Sequence, residues 1–363
     1  MRIAFYGSSL VSTYWNGAAT YYRGLLRHLA ALGHEITFLE PDAFGRQEHR
    51  DMEPPDWARV VVWDATPEGL EVALGYAAFA DLVVKASGVG VFDDALLADV
   101  VERASPDALK VFWDVDAPAT LAAMAATPHF PLRRILPRLD AVFTYGGGEG
   151  VRRAYRRFGA RVCEPVYNGL DTTTHFPVPA DPRFAADLAF LGNRLPDREA
   201  RVHAFFLDAA RRLPDRRFLL GGSGWEDVDL PANVIRLGHV PMRDHNAFNA
   251  TPLAVLNIAR DSMAEVGFSP ATRVFEAAGA GACLITDHWE GIEMFLEPET
   301  EVLVARDGAE VAAHLEKLDR ARAEAIGRRA LQRVQSAHSY ERRAAEVDLH
   351  LRQLVDDRRR VPA

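Results

Sequence analysis

Residues 267–301 read GFSPATRVFEAAGAGACLITDHWEGIEMFLEPETE and hold a loop, a helix and a strand in succession. The Gly/Ser/Pro loop places Arg273 and Glu276 on the first turns of the predicted helix. Small residues at 277–281 let that helix pack closely, and the apolar run Cys283–Thr286 predicts a buried strand. Because a helix N-terminus offers free N–H donors and partial positive charge, the segment suits a diphosphate, and Glu276 suits a ribose diol.

The same alternation of short apolar strands and helices runs along the rest of the chain. In the first half, strands are predicted at Arg2–Tyr6, Glu35–Leu39, Arg59–Trp63, Leu82–Lys85, Lys110–Asp114 and Ala141–Tyr145. In the second half they are predicted at Leu188–Leu191, Arg217–Gly221, Val234–Leu237, Leu253–Ile258, Cys283–Thr286 and Glu301–Ala305. Strands that alternate with helices predict parallel sheets covered on both faces.

A proline-rich stretch, FPVPADP at residues 176–182, interrupts the alternation. It predicts a linker at 176–186 between a first domain of residues 1–175 and a second domain of residues 187–335. The C-terminal segment 336–363 is expected to be a helix that returns to the first domain. Since doubly wound sheets bind ligands at the carboxyl ends of their strands, the predicted active site is a cleft between the two domains.

Composition limits the class of protein. The chain is 48% hydrophobic and 26% charged, which is typical of soluble globular proteins, and its net charge of −9 argues against a nucleic-acid-binding protein. Cys163 and Cys283 lie far apart and offer neither a disulfide framework nor metal-ligand spacing, so a cytoplasmic location is expected. No apolar run approaches the ~18 residues of a membrane span, so no transmembrane segment is expected.

The residues Ser269–Glu276, SPATRVFE, fit the SPxxRxFE pattern of CgeB-like (spore maturation protein-like) glycosyltransferases. The resemblance is strong over residues 188–304, weaker over 113–177, and only generic in the first hundred residues. It implies an α/β fold of GT-B architecture, in which two doubly wound Rossmann-like domains face each other across a cleft. It also implies metal-independent transfer of a sugar from a nucleotide diphosphate sugar to an acceptor hydroxyl or a similar nucleophile, with no cofactor.

The resemblance implies that Glu276 holds the ribose of the donor nucleotide. Related transferases carry a further glutamate that touches the sugar, at the position where this chain has Phe268. Taken alone, Arg273 and Glu276 at i, i+3 would indicate a surface ion pair. The helix of small residues favours a binding site instead, as does the loop Asp287–Gly291 that follows the next strand.

Other donor-side candidates follow predicted strand ends in the second domain. The turn after Leu191 and the GGSG loop at 221–224 suit phosphates or close backbone approach, although plain glycine turns with solvated arginines explain them as well. Arg260 is expected to bind a phosphate as a fork or, alternatively, to pair with Asp261 or Glu265. Backbone groups at 238–240 are expected to contact the nucleobase. The donor-binding candidates are Gly192, Asn193, Arg194, Arg198, Gly222, His239, Val240, Asn257, Arg260, Ser269, Arg273 and Glu276.

The first domain is expected to bind the acceptor and supply a catalytic base. Asp116, in the sequence DVDAP, is the first candidate for that base, with an N-cap of the following helix as the alternative reading, and Asp114 is the second candidate. The D-x-D pattern binds metal in single-domain transferases. Its place away from the predicted donor site argues against metal here. The acceptor-binding candidates are Ser8, Ser9, Asn16, Gly17 and Tyr145, of which Asn16 and Gly17 also suit a helix cap.

Residues 133–161 contain eight arginines against Asp140 and Glu149. An anionic acceptor or a peripheral membrane contact would explain this excess, but a solvated helix face is favoured. The partners expected are therefore a nucleotide-sugar donor and an acceptor of unknown identity, and the sequence leaves the oligomeric state open.

Two other functions fit the same architecture. A nucleotide-sugar epimerase would act without an acceptor and would need no open pocket in the first domain. The missing glutamate at Phe268 also fits a non-catalytic protein that binds a nucleotide sugar or a partner transferase. We rank the transferase first. Nucleobase, sugar and stereochemistry are left open.

Overall fold

The structure is a computed structural model that describes residues 1–14 and 16–360. Two compact units make up the chain, the first from Met1–Tyr167 and Tyr340–Ala363 and the second from Asn168–Ser339. Residues 361–363 of the expected C-terminal segment lie outside the described residues. The second unit begins before the expected boundary at 175, because the Leu170 N–H donates to the His338 carbonyl at 2.7 Å within that unit.

In the described part of the chain, the first unit holds a sheet of seven parallel strands in the order β3-β2-β1-β4-β5-β6-β7. The strands are β1 (Arg2–Tyr6), β2 (Glu35–Asp42), β3 (Ala58–Asp64), β4 (Leu82–Ala86), β5 (Leu109–Asp114), β6 (Ala141–Thr144) and β7 (Cys163–Pro165). The helices are α1 (Ala19–Ala31), α2 (Pro67–Leu74), α3 (Asp93–Arg103), α4 (Ala117–Ala126), α5 (Pro131–Ile135) and α6 (Gly148–Arg157). Strand β7 was not predicted, since three residues ending in proline give no strand pattern.

The second unit holds a sheet of six parallel strands, counted among the described residues, in the order β10-β9-β8-β11-β12-β13. The strands are β8 (Leu188–Leu191), β9 (Phe218–Gly221), β10 (Val234–Gly238), β11 (Ala254–Asn257), β12 (Leu284–Asp287) and β13 (Leu303–Ala305). The helices are α7 (Glu199–Val202), α8 (Asp208–Arg212), α9 (His245–Ala250), α10 (Asp261–Val266), α11 (Thr272–Gly279), α12 (Gly308–Lys317) and α13 (Arg320–Ala337). A π-type turn, His203–Leu207, joins α7 to α8.

The last helix, α14 (Tyr340–Arg360), belongs to the first unit and packs against α1. Val347 and Leu351 are fully buried in the first core. Near the end of the helix, the Arg358 guanidinium lies 2.6 Å from the Asp140 carboxylate (Nη2 to Oδ2). Apolar packing and this ion pair together fix the helix on its own unit.

The strand order reverses beside the first strand of each sheet, between β1 and β4 and between β8 and β11. At such a switch point the loops from the two strand ends diverge and leave room for a ligand. The loops after β8 and β11 therefore define the place to look for a donor site in the second unit. The two parallel α/β sheets confirm the predicted fold class.

No helix in the described part of the chain combines the length and the apolar character that crossing a membrane requires.

Candidate active site

Two glycine-rich loops interlock beside the switch point of the second sheet. Gly192 N–H donates to the Gly221 carbonyl at 3.0 Å, and Arg194 N–H donates to the Ser223 carbonyl at 2.9 Å. Asn193 accepts from Ser223 N–H at 3.0 Å through its side-chain oxygen. Gly222 has φ +114°, and a Cβ there would run into the Gly192 carbonyl. The two predicted glycine turns, 192–194 and 221–224, are thus hydrogen-bonded to each other and form one surface, called here the backbone platform. A side chain at position 222 would not fit in it.

Arg198 lies against this platform and is half-buried. Its guanidinium donates to the Asn193 carbonyl and lies 5.8 Å from the centre of the Phe190 ring. The buried Nε has no hydrogen-bond partner among the described residues. Burial, and then the positive charges of Arg273 and Arg260, lower the pKa of Arg198 to about 10. The positive charges of Arg273 and Arg260 thus both act on Arg198, which favours a place for an anion here.

Arg260 follows β11, at the other side of the switch point. Its Nε donates to Asp197 Oδ2 at 2.5 Å. Asp261, one of the two carboxylates that the sequence analysis offers as partners of Arg260, lies instead 3.7 Å from Arg201 (Oδ1 to Nη1). The side chain of Arg260 is about one-third exposed.

Arg194, unlike Arg198, forms ion pairs with two carboxylates. Its guanidinium lies 2.6 Å from Glu199 Oε1 and 2.7 Å from Asp227 Oδ1. These two carboxylates raise its pKa through hydrogen bonds. Arg194 therefore stabilises the loop through a carboxylate on each side, whereas the sequence suggested either a phosphate-facing or a solvated arginine.

Arg273 and Glu276 lie on α11, as predicted. Their side chains are 16% and 15% exposed, and Arg273 Nη2 lies 3.8 Å from Glu276 Oε2. Arg273 Nη1 also lies 3.5 Å from Asn249 Oδ1, and burial lowers the pKa of Arg273. A pair this deeply enclosed is not the ordinary surface ion pair that its i, i+3 spacing alone would indicate.

The loop before α11 is tightly shaped. Ser269 is buried, and its hydroxyl donates to the Gly267 carbonyl at 2.8 Å. Phe268 has φ +47°, its N–H donates to the Glu290 carbonyl at 2.6 Å, and its ring covers Gly291. A left-handed phenylalanine is strained, so the packing of its ring and this hydrogen bond hold the loop in shape.

The other donor-side candidates lie at or near strand ends. Asn257 is 2% exposed, and its side-chain amide donates to Thr286 Oγ1 at 3.0 Å, so it links β11 to β12 inside the sheet. His239 is exposed after β10, and Val240 is buried. The Val240 carbonyl lies 3.1 Å from His245 Nε2, a contact that the sequence analysis did not foresee.

Asp287 is a further residue that the sequence analysis names only as part of a loop. It is fully buried at the end of β12, where Arg201 Nη2 lies 2.6 Å from its Oδ2 and Ala259 N–H donates to the same oxygen at 3.0 Å. Burial raises its pKa, against the effect of Arg201. This carboxylate ties the ends of β11 and β12 to the helix that carries Arg201. An aspartate after a buried strand was the only local signal for it.

The two candidate bases in the first unit occupy very different surroundings. Asp114 is fully buried and accepts hydrogen bonds from Tyr155 OH and from Thr120 Oγ1, the latter at 3.0 Å. Burial raises its pKa. Asp116 is half-buried at the N-cap position of α4, but its side chain makes no capping hydrogen bond to the described residues of that helix. These positions favour Asp116 over Asp114 as the residue that meets an acceptor.

The second unit and the chain as a whole match known proteins. Residues 198–348 match the family model described as glycosyl transferase-like. Sucrose-phosphate synthase from Thermosynechococcus elongatus has a similar structure, with a TM-score of 0.72 and 17% identity over 98% of this chain and 100% of that one. HepE from Anabaena, in complex with UDP and glucose, gives a TM-score of 0.68 and 14% identity over 97% and 100% of the two chains.

AviGT4, a glycosyltransferase involved in avilamycin A biosynthesis, gives a TM-score of 0.62 and 18% identity over 98% of each chain. No curated protein sequence matches. The structural likenesses establish the shared GT-B fold, and the family match adds the activity. This chain is a GT-B glycosyltransferase. The epimerase and the non-catalytic protein are not favoured by these matches.

The acceptor-side candidates of this glycosyltransferase form a loop that satisfies its own hydrogen bonds. Ser8 Oγ donates to Asn16 Oδ1 at 2.9 Å, and Asn16 Nδ2 donates to the Ser9 carbonyl at 2.9 Å. Ser9 Oγ donates to Glu40 Oε1 at 3.0 Å, and Glu40 is fully buried. The expectation that Asn16 and Gly17 cap α1 is wrong, because Ala18 occupies the N-cap position and the Asn16 side chain turns back into the loop.

The remaining candidates on this side differ in exposure. Gly17 is exposed, with nothing within 4 Å of a Cβ built on it. Tyr145 follows β6 and is half-buried, and its ring centroid lies 5.1 Å from that of Tyr21. Among the described residues, no group of three or more His, Cys, Asp or Glu side chains is arranged to hold a metal ion.

Several arginines of the basic segment 133–161 of the glycosyltransferase have structural partners. Arg138 Nη1 lies 2.5 Å from Glu102 Oε1, Arg152 pairs with Glu164, and the Arg133 guanidinium lies 5.1 Å from the centre of the Phe158 ring. The arginines at 134, 153, 156, 157 and 161 are exposed. The segment is thus in part a set of structural contacts and in part a solvated face.

Proposed function

We propose that the second unit binds a nucleoside diphosphate sugar with its diphosphate beside Arg198, Arg260 and Arg273. The observation that carries the proposal is the buried Nε of Arg198, which has no hydrogen-bond partner among the described residues and lies beside the glycine loops at the switch point, where Arg260 bonds to the neighbouring Asp197. The N-terminus of α11 adds backbone N–H donors and partial positive charge at the same place. Together these groups stabilise the charge that develops on the departing diphosphate, so the scheme requires no metal and no cofactor.

The rest of the donor follows from this placement. Glu276, one turn along α11 from Arg273, accepts hydrogen bonds from the ribose diol. Backbone groups at 238–240 contact the base. HepE has been solved with UDP and glucose, so uridine is the first base to test.

Asp116 is proposed as the base, supported by its half-exposed position at the carboxyl end of β5. As the acceptor oxygen forms a bond to the anomeric carbon, Asp116 takes the hydroxyl proton. The bond from that carbon to the diphosphate oxygen breaks, and the diphosphate leaves with the electron pair.

We also propose a branch of the family and a cellular location. The sequence SPATRVFE at Ser269–Glu276 supports a place in the CgeB-like branch. The two cysteines, Cys163 and Cys283, are buried and form no disulfide, which supports a cytoplasmic location.

The direct test is calorimetric titration with UDP, GDP, dTDP, CDP and ADP on the wild-type protein and on Glu276→Gln. We expect one diphosphate to bind best and Glu276→Gln to weaken it by about 10- to 100-fold, the effect of hydrogen bonds to a charged group. Glu316→Gln, at an exposed position on α12, is the matched control. If no diphosphate binds, the donor site is wrongly placed.

Transfer is separated from epimerisation by product analysis. With the corresponding nucleotide sugar, release of free nucleoside diphosphate should depend on an added acceptor. Interconversion of the sugar without such release would instead favour an epimerase.

A further inference from the structure

Arg46 is an almost fully buried arginine at the carboxyl edge of the first sheet. It follows β2 and is 6% exposed. Its Nη1 donates to the Ser8 carbonyl at 3.2 Å and to the Val89 carbonyl at 3.3 Å. Ser8 follows β1 and Val89 follows β4, so the guanidinium connects the two loops that diverge at the switch point of this sheet.

The other edge of the Arg46 guanidinium makes no hydrogen bond to the protein. Its Nε is buried and has no partner among the described residues, and Nη2 likewise forms no hydrogen bond within that part of the chain. The Nε–H and the Nη2–H beside it point in the same direction and form the fork that binds two oxygens of a carboxylate or a phosphate. Because burying these donors without acceptors is costly, the fork favours a ligand that supplies the acceptors.

The charge of Arg46 is also poorly compensated by the protein. Lys85, a buried cation at the same edge, pairs with Asp93, whereas Arg46 forms no ion pair with a carboxylate of the described residues. Burial lowers the pKa of Arg46, and the charge of Glu40 offsets only part of this effect. The Glu40 carboxylate already accepts from one backbone N–H and two side chains. A buried cation in this state is stabilised by an added anion.

Phe44 covers one face of the same guanidinium. The centre of its ring lies 5.0 Å from the guanidinium carbon of Arg46. Phe44 has φ +58°, a strained conformation for this residue, and a Cβ added to Gly90 would lie 2.6 Å from the ring. The ring therefore leaves the edge of the guanidinium, and not this face, for a ligand.

We propose that the first unit binds an anion, a phosphate or a carboxylate group, through Nε and Nη2 of Arg46 at the switch point of its sheet. The anion is either a group carried by the acceptor or a free ion, and both present the same pair of oxygens. The inference does not depend on the proposed donor site, because every residue that carries it belongs to the first unit.

The test is calorimetric titration of the full chain with inorganic phosphate, glucose 6-phosphate, glucuronate and uncharged glucose. Dissociation constants are measured on wild type, Arg46→Gln and Arg198→Gln. We expect at least one of the three anions to bind wild type and Arg46→Gln to weaken it by about 10- to 100-fold, the effect of hydrogen bonds between charged groups. Arg198→Gln should keep this affinity, because it removes an arginine of the second unit only.

Two further variants separate anion binding from a role of Arg46 in tying the loops together. Arg46→Lys keeps a charge and a donor but lacks the fork, so it should retain part of the affinity, and it decides the matter if Arg46→Gln does not fold. Arg50→Gln, at an exposed position in the same segment, is the matched control and should bind as wild type does.

The four ligands also identify the source of the anion. If glucose 6-phosphate or glucuronate binds more tightly than inorganic phosphate by about tenfold or more, the anion is part of the acceptor; otherwise it is a free ion. Anion binding that is lost in Arg198→Gln and kept in Arg46→Gln would place it in the second unit and overturn the inference. So would a wild-type protein that binds none of the three anions, and Arg46 would then only hold the two loops together.

Discussion

The loops at the carboxyl edges of the two sheets hold their polar side chains in opposite ways. In the second unit, Arg198, Arg260 and Arg273 bring like charges together, and this repulsion contributes to lowering the pKa of Arg198. In the first unit, Ser9 and Asn16 are buried, with Ser9 bonded to Glu40 of β2 and Asn16 bonded to the loop itself. The second edge therefore gathers positive charge, whereas Ser9 and Asn16 at the first edge bond to groups of the protein itself.

The difference explains why a donor can be proposed from the structure and an acceptor cannot. Neighbouring arginines favour an anionic ligand, since added negative charge relieves repulsion that Asp197 and Glu276 relieve only in part. A loop whose hydroxyls and amides bond to one another specifies its own shape. The acceptor must then be recognised by other groups, of which Asp116 is the clearest candidate.

The largest effect is expected from Asp116→Asn. Removing a general base should lower kcat by about 10²- to 10⁴-fold and leave the affinity for the donor nucleotide unchanged. Initial rates and nucleotide titration on the same preparation measure both quantities. Asp107→Asn, at an exposed position in the same unit, is the matched control. A loss of nucleotide affinity in Asp116→Asn would break the proposed division of roles between the units.

Arg273→Ala tests the other edge. Losing one cation that faces the leaving group should lower kcat/KM by about 10²- to 10³-fold. Arg273→Lys should recover only part of this, since an ammonium cannot replace a planar fork. Arg329→Ala, an exposed arginine on α13, serves as the control in steady-state assays. If Arg273→Ala retained full activity, the arginine cluster would be a structural feature only.

The same contrast decides what the sequence could predict. Apolar runs such as Leu188–Leu191 are local signals, and the structure reproduces that strand with identical bounds. The helix carrying Arg273 and Glu276 was also locally encoded by its glycine, proline and small residues. Every parallel strand except β7 gave such a signal.

Residues that act through tertiary contacts gave no comparable signal. The ring centroids of His175 and His245 lie 6.4 Å apart although the two residues are far apart in sequence. The partnership of Glu40 with Ser9, 31 positions apart, likewise depends on the packing of β2 beside β1. A single sequence shows which residue types are present, but not which of them the fold brings together.

Gly222→Ala is expected to have a smaller effect, on stability. The backbone has φ +114° there, and a Cβ would meet the Gly192 carbonyl, so the free energy of unfolding should fall by about 1–3 kcal/mol. In the first unit, Gly150 lies within α6 with nothing within 4 Å of an added Cβ. Gly150→Ala should raise stability by about 0.5–1 kcal/mol. Urea unfolding of both variants measures these two opposite effects on stability.

The smallest effect concerns the buried carboxylate of the first unit. Burial raises the pKa of Asp114 above its ordinary value of 3.8. The protonated form therefore stabilises the fold. This stabilisation is complete at pH values below the ordinary pKa of 3.8. It is lost as the pH rises through the raised pKa of Asp114 in the folded protein. Asparagine does not titrate, so Asp114→Asn does not lose this stabilisation. As the pH rises from the ordinary pKa to the raised pKa, the stability of the variant relative to wild type should increase, and above the raised pKa it should stay constant.

Urea midpoints at closely spaced pH values measure this relative stability, with Asp107→Asn as a variant that should show no such step. A relative stability that fell with rising pH would mean that the hydrogen bonds from Tyr155 and Thr120 outweigh the burial of Asp114. The first edge would then resemble the second, since each would hold its charged groups in the ionised form. The two edges would then differ only in the arginines Arg198, Arg260 and Arg273, which the second edge has and the first lacks.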